Sequence, residues 1–92
     1  MVATAVRVEA GWDRSEPGAA AINRYRVVDA ALDGPTANGA AGIVNRTGVC
    51  IADAHIGAVI GSLTGDEIVV LTSDPEDMVR VSAPRPITAV RI

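Results

Sequence analysis

Ile68-Val69-Val70-Leu71-Thr72-Ser73-Asp74-Pro75-Glu76-Asp77 is the stretch that decides the fold. Its opening apolar run, mostly β-branched, predicts a strand buried on both faces. A helix is predicted to follow, because Ser73 and Glu76 have capping-box spacing and Pro75 sits in the first turn. Pro84 and Pro86 end that helix. The closing residues 87–92 (ITAVRI) then read as a last strand.

Working towards the N-terminus, Asp53 is placed to open a helix after the short apolar group Val49-Cys50-Ile51-Ala52. In that helix Ile56, Val59, Ile60 and Leu63 form an i, i+3, i+4, i+7 stripe. Asp33-Gly34-Pro35 starts an earlier helix, with Ala37, Ala40, Ala41 and Val44 on one face and Gly48 at its end. Residues 25–30 read as a short strand. Ser15-Glu16-Pro17 marks a helix start leading into residues 19–24. Residues 2–8 read either as a strand or as the first turn of a helix. The later two-thirds therefore alternates strand and helix, the pattern of an α/β domain with a mainly parallel sheet. Ligands of such sheets sit beyond the carboxyl ends of the strands.

Composition narrows the function. The chain has 92 residues, 49% hydrophobic and 21% charged, with net charge −3. This fits one small domain. All eight basic residues are Arg, which excludes a Schiff-base or P-loop lysine. Phe is absent, and Trp12 and Tyr25 are the aromatics, so a stacking platform for bases is not expected. The acidic balance argues against simple phosphate-backbone binding, yet suits carboxylates gathered around a cation. No apolar run reaches the roughly 18 residues of a membrane span, and no secretory leader is evident. With Cys50 as the single cysteine, a cytoplasmic protein is expected.

Asp74 follows a strand and precedes a helix, and Asp53 stands at a helix start, so both carboxylates are expected at one end of the sheet. There they can share a Mg²⁺, which prefers oxygen ligands. The plainer alternative is that each Asp simply caps its helix.

Ile51-Ala52-Asp53-Ala54-His55-Ile56, then Thr72-Ser73-Asp74-Pro75-Glu76-Asp77 and the closing ITAVRI resemble the C-terminal half of a PIN domain. More narrowly, they are similar to VapC-type toxins of bacterial toxin–antitoxin pairs. Val6-Arg7-Val8-Glu9, Arg14 and Ile22-Asn23-Arg24 resemble that family's middle segment. The resemblance implies a PIN-like three-layer sandwich, N-terminally truncated, with residues 1–92 as one partial domain. It implies a Mg²⁺- or Mn²⁺-dependent endoribonuclease in which Glu9, Asp53 and Asp74 are catalytic. Asp53, Asp74 and Asp77 would hold the metal, and Thr72 and Ser73 would touch bound water or phosphate. The implied partners are an RNA substrate, a cognate VapB-type antitoxin and a second copy in a homodimer, with no membrane.

The family's first strand, which ends in an aspartate, and the two helices after it have no counterpart here. Three accounts are open: a start site upstream, a truncated remnant, or a sheet repaired by a second copy. The competing expectation is an inactive remnant that binds a partner or itself through an exposed sheet edge. An isolated chain of this kind is expected to be marginally stable or oligomeric. His55 is expected on a helix face, Cys50 as a buried structural thiol and Trp12 as a core or interface anchor. Arg7, Arg14, Arg24 and Arg26 lie near Glu9 in sequence and are either solvated or available to phosphates.

Overall fold

The computed structural model describes residues 1–19 and 27–92. Residues 2–8 resolve into both of their alternatives: strand β1 is Val2–Ala3 and helix α1 is Thr4–Ala10. Gly11 ends α1 at φ 65°, in the left-handed region that glycine adopts without strain. After Pro17 there is a 3₁₀ turn, Pro17–Ala19, and the expected helix over 19–24 otherwise lies outside the described residues. The strand expected over 25–30 is represented by β2, Asp29–Ala30. Helix α2 (Gly34–Thr47) starts where Asp33 accepts a hydrogen bond from the Thr36 N–H, and it stops at Gly48, φ 73°. Helix α3 is Ile51–Ser62, β3 is Val69–Thr72, α4 is Pro75–Ser82 and β4 is Thr88–Arg91.

The core is built around α3. Ala40, Ile43, Val49, Ala54, Met78 and Val81 form one buried cluster. The buried face of α2 is Ala40 and Ile43 with Val44 packed beside them, while Ala37 and Ala41 are exposed. The alanine pattern therefore indicated only part of the face, because Ile43 contributes more apolar area than either exposed alanine. The break between α2 and α3 turns the chain by 119°. Small residues allow close approach: a Cβ on Gly57 would lie 2.7 Å from the Val81 carbonyl oxygen and 2.8 Å from Ile43 Cδ1. Among the described residues no single helix is long and apolar enough to cross a membrane.

The described strands pair in parallel, as expected, but as two separate two-stranded units. In one, Val2 and Ala3 face Asp29 and Ala30. In the other, Val69–Thr72 face Thr88–Arg91 in register. The chain is thus a small mixed α/β protein. β3 is not buried on both faces: Val69 is 55% and Leu71 66% exposed, alternating with the half-buried Val70 and Thr72. The physical reason is coverage. α4 and the core lie behind Val70, whereas Val69 and Leu71 project from the opposite face of the strand.

Two predictions test this packing. Gly57→Ala is expected to lower stability by about 1–3 kcal/mol in urea unfolding, because the new methyl meets a backbone oxygen. A neutral substitution would contradict the close approach. Asp33→Ala is expected to cost about 1 kcal/mol through the lost cap of α2.

Candidate functional site

The acidic residues singled out from sequence collect around the N-terminal ends of α3 and α4. Asp74 is the N-cap of α4. Its carboxylate accepts from the Asp77 N–H at 3.3 Å, and the turn before it is held by Thr72, whose Oγ1 accepts from the Asp74 N–H at 3.0 Å. The cap is therefore Asp74 with Asp77, one residue later than the Ser73–Glu76 pair expected. Non-helical backbone at Asp74 and Pro75 at the first helical position put the break there. Arg91, at the end of β4, donates to the Ser73 carbonyl at 2.9 Å and ties the turn to the sheet.

Asp53 does not open α3. The helix begins after Cys50, whose side chain makes no capping bond, and Asp53 sits in its first turn. The apolar group before Asp53 belongs partly to the helix itself, because Ala52 and Ala54 pack inward. Cys50 is exposed, not buried as expected, since its Sγ points away from the core to within 4.0 Å of Glu9 Oε2. That contact brings Glu9, on the last turn of α1, to the start of α3.

The acids on α4 influence one another. The pKa of Asp77 is raised above the ordinary 3.8, first by its side-chain hydrogen bond with Asp74, then by desolvation and the Asp74 charge. Arg80, paired with Asp77 at 3.0 Å, opposes the rise, and the field of Asp53 adds to it. Asp74 is therefore the main influence on Asp77, and Asp53 contributes least. At the cap of α2 the sign is opposite: the hydrogen bonds from Thr36 lower Asp33.

Other residues have structural work. His55 is 0% exposed and its Nδ1 accepts from the Ala5 N–H at 3.3 Å, so the helix face it occupies is the inner one and it docks α1 on α3. Arg7 and Arg14 both pair with Asp29, at 2.8 and 3.1 Å, and both lie over the Trp12 ring, at 5.5 and 4.6 Å from its centroid. Trp12 is thus half-buried between two guanidinium groups, which are engaged with protein rather than presented to phosphate. Arg24 and Arg26 lie outside the described residues. Arg85 donates to the carbonyls of Ile60, Leu63 and Gly65 and closes the C-terminal end of α3.

The reading of the sequence missed Arg91, Arg80 and Asp29. Arg80 carried a signal, since it lies three residues after Asp77 on one helix. Arg91 acts across the β3–β4 pair and Asp29 on arginines 22 and 15 residues away, and the sequence displays neither contact.

Among the described residues, no group of three or more His, Cys, Asp or Glu is close enough to hold a metal ion together. No family model, no curated protein and no solved structure matches this chain.

The Asp74–Asp77 coupling has a direct readout. By carboxyl-carbon NMR, Asp77 is expected to titrate above 3.8 in the wild type and lower in Asp74→Asn. An unmoved midpoint would contradict the coupling. The sign for stability follows: a raised carboxyl pKa favours the folded state at acid pH, and that contribution is lost as pH rises through the raised value. Asp33 contributes in the opposite sense, above 3.8, and loses its contribution as pH falls through its lowered value.

Proposed function

We propose that the chain is a metal-dependent endoribonuclease of the PIN, VapC-toxin type, with its reactive centre at the adjoining ends of α3 and α4. The observation that supports the reading is the placement of Asp74 and Asp77, joined by the Asp77 N–H to Asp74 hydrogen bond, in the turn beyond β3, the end of the strand where α/β proteins place ligands. The PIN-like three-layer arrangement belongs to the same proposal.

The donor set fits Mg²⁺ or Mn²⁺ in a restricted way. Mg²⁺ commonly keeps several waters and uses one or two carboxylates plus substrate phosphate, so it does not need a cage of three protein ligands. Asp74 and Asp77 would hold it, with Asp53 adding negative potential and bonding its waters. When bound, such a cation lowers the pKa of water and offsets charge that develops on phosphate.

The chain's own residues contribute three things. Asp74 and Asp77, held together at the start of α4, present two carboxylates to a cation. The first turn of α3 carries no side-chain cap, so its N–H groups are available to a phosphate oxygen. Thr72 and Arg91 fix the turn that carries Asp74, and Ser73 stands exposed beside them. Glu9, at the opposite side of the α3 terminus, would act on water rather than on the metal. The RNA substrate, the VapB-type antitoxin and the homodimer come with the resemblance and form part of this proposal.

The test is cleavage of single-stranded RNA with Mg²⁺ or Mn²⁺, with and without a chelator. Chelator-sensitive cleavage is expected, falling about a hundredfold in Asp74→Asn, at the upper end of losses seen when a metal site is disturbed. Arg80→Gln, which removes only the cation paired with Asp77, is expected to retain it. Absence of cleavage, together with no Mn²⁺ broadening of NMR signals near Asp53 and Asp74, would overturn the reading. The second reading is a non-catalytic binding module, and a separate observation favours it: β1 and β3 each leave one edge unpaired among the described residues.

A further inference from the structure

We propose that the slot between β1 and β3 accepts one extended, uncharged strand from a partner polypeptide, flanked on both sides by basic residues. This inference rests on the binding-module reading, whose occupant it names, and does not depend on the ribonuclease reading.

The hydrogen-bond phase of each strand pair supplies the first argument. Thr88 N–H donates to the Ile68 carbonyl and Ile92 N–H to the Thr72 carbonyl, so even-numbered residues of β3 face β4. In a parallel ladder the N–H and C=O of one residue point to the same side. The backbone groups of Val69 and Leu71 therefore point to the opposite edge. Val2 N–H donates to the Val28 carbonyl, which likewise turns the Ala3 N–H away from β2. Unpaired strand edges of this kind are templates for another strand.

The second argument is that both edges border one cavity. It has a volume of about 460 Å³, with Ala3 on one side, Val69 and Leu71 on the other, and Ile56, Val59 and Ile60 of α3 as its floor. All its described lining residues are apolar. The four residues of β3 span about 13 Å at the usual rise, which sets the length of the strand that fits.

Charge selects the occupant's flanks. Asp66 and Glu67 precede β3 beside Arg85, which holds the Gly65 carbonyl, and Asp74, Glu76 and Asp77 follow it beside Arg80 and Arg91, so acids outnumber cations at each end in a chain of net charge −3. An apolar segment between arginines or lysines matches this pattern: a neutral centre and an acidic region at each end. A folded second copy is a poor fit. Its described strands are each already bonded on one edge, and a strand entering a slot bounded on both sides would drive its own neighbour into β1.

The experiment uses the full chain and an end-capped, fluorescein-labelled synthetic peptide of four valines between arginine pairs. Fluorescence anisotropy is expected to show saturable binding. Methylating the peptide nitrogens of two alternate valines is expected to weaken it at least about tenfold, because the N–H donors are lost. Replacing the arginines by glutamates is expected to weaken it by a similar factor. Val69→Arg, at a site more than half exposed, is expected to abolish binding while leaving the circular dichroism spectrum and unfolding midpoint unchanged. Equal binding of the methylated peptide would overturn the proposal, since adsorption to an apolar surface ignores backbone N–H groups. So would the absence of saturable binding. Concentration-dependent self-association that Val69→Arg disperses would also overturn it, and would assign the slot to a second copy.

Discussion

Backbone hydrogen bonding is the constraint on which the rest of this structure depends. A strand satisfies its N–H and C=O groups on two edges, and among the described residues β1 and β3 each pair on one. Apolar side chains behind those strands, among them Ile56 and Val59 of α3, are consequently only partly covered. The open middle of the molecule is the same fact seen from the sheet and from the helix.

Helix α3 links this opening to the acidic end. Its inner face packs on α4 through Gly57, where the backbone approaches so closely that no side chain fits. That contact sets the position of α4, and with it Asp74 and Asp77, relative to Asp53 on the first turn of α3. One helix therefore floors the slot, carries one of the acids and fixes the element that carries the other two. Its ends are held differently. Arg85 closes the C-terminal end through three carbonyls, whereas the N-terminal end has no side-chain cap and is approached by Glu9 through Cys50.

Local signals were legible in the sequence where a short-range rule acts alone. Asp33 and Gly48 bracket α2 as caps require, Pro75 begins α4, and β3 and β4 pair in parallel as the α/β alternation implies. Legibility failed where burial depends on neighbours distant in the chain. The run from Ile68 to Leu71 has the composition of a central strand, but Val69 and Leu71 stay exposed because they lie on the face opposite Val70, the residue that packs on the core. Cys50 has the composition of a core residue, yet a helix start turns it outward. Asp53 and Asp74 were expected from the residues as carboxylates at one end of the sheet, with Asp77 added by the resemblance; among the described residues no three acids come close enough to hold an ion together. The influence of Asp74 on Asp77 was not legible, because it comes from the cap geometry of α4. The arginine pair on Trp12 is a tertiary arrangement with no local pattern.

The open edge of β3 is the central claim, and amide hydrogen exchange measured residue by residue tests it most directly. The N–H groups of Val70 and Thr72 face β4 and are expected to exchange at least about a hundredfold more slowly than those of Val69 and Leu71. Equal protection of all four amides would contradict the account, because it would mean that the edge is already paired.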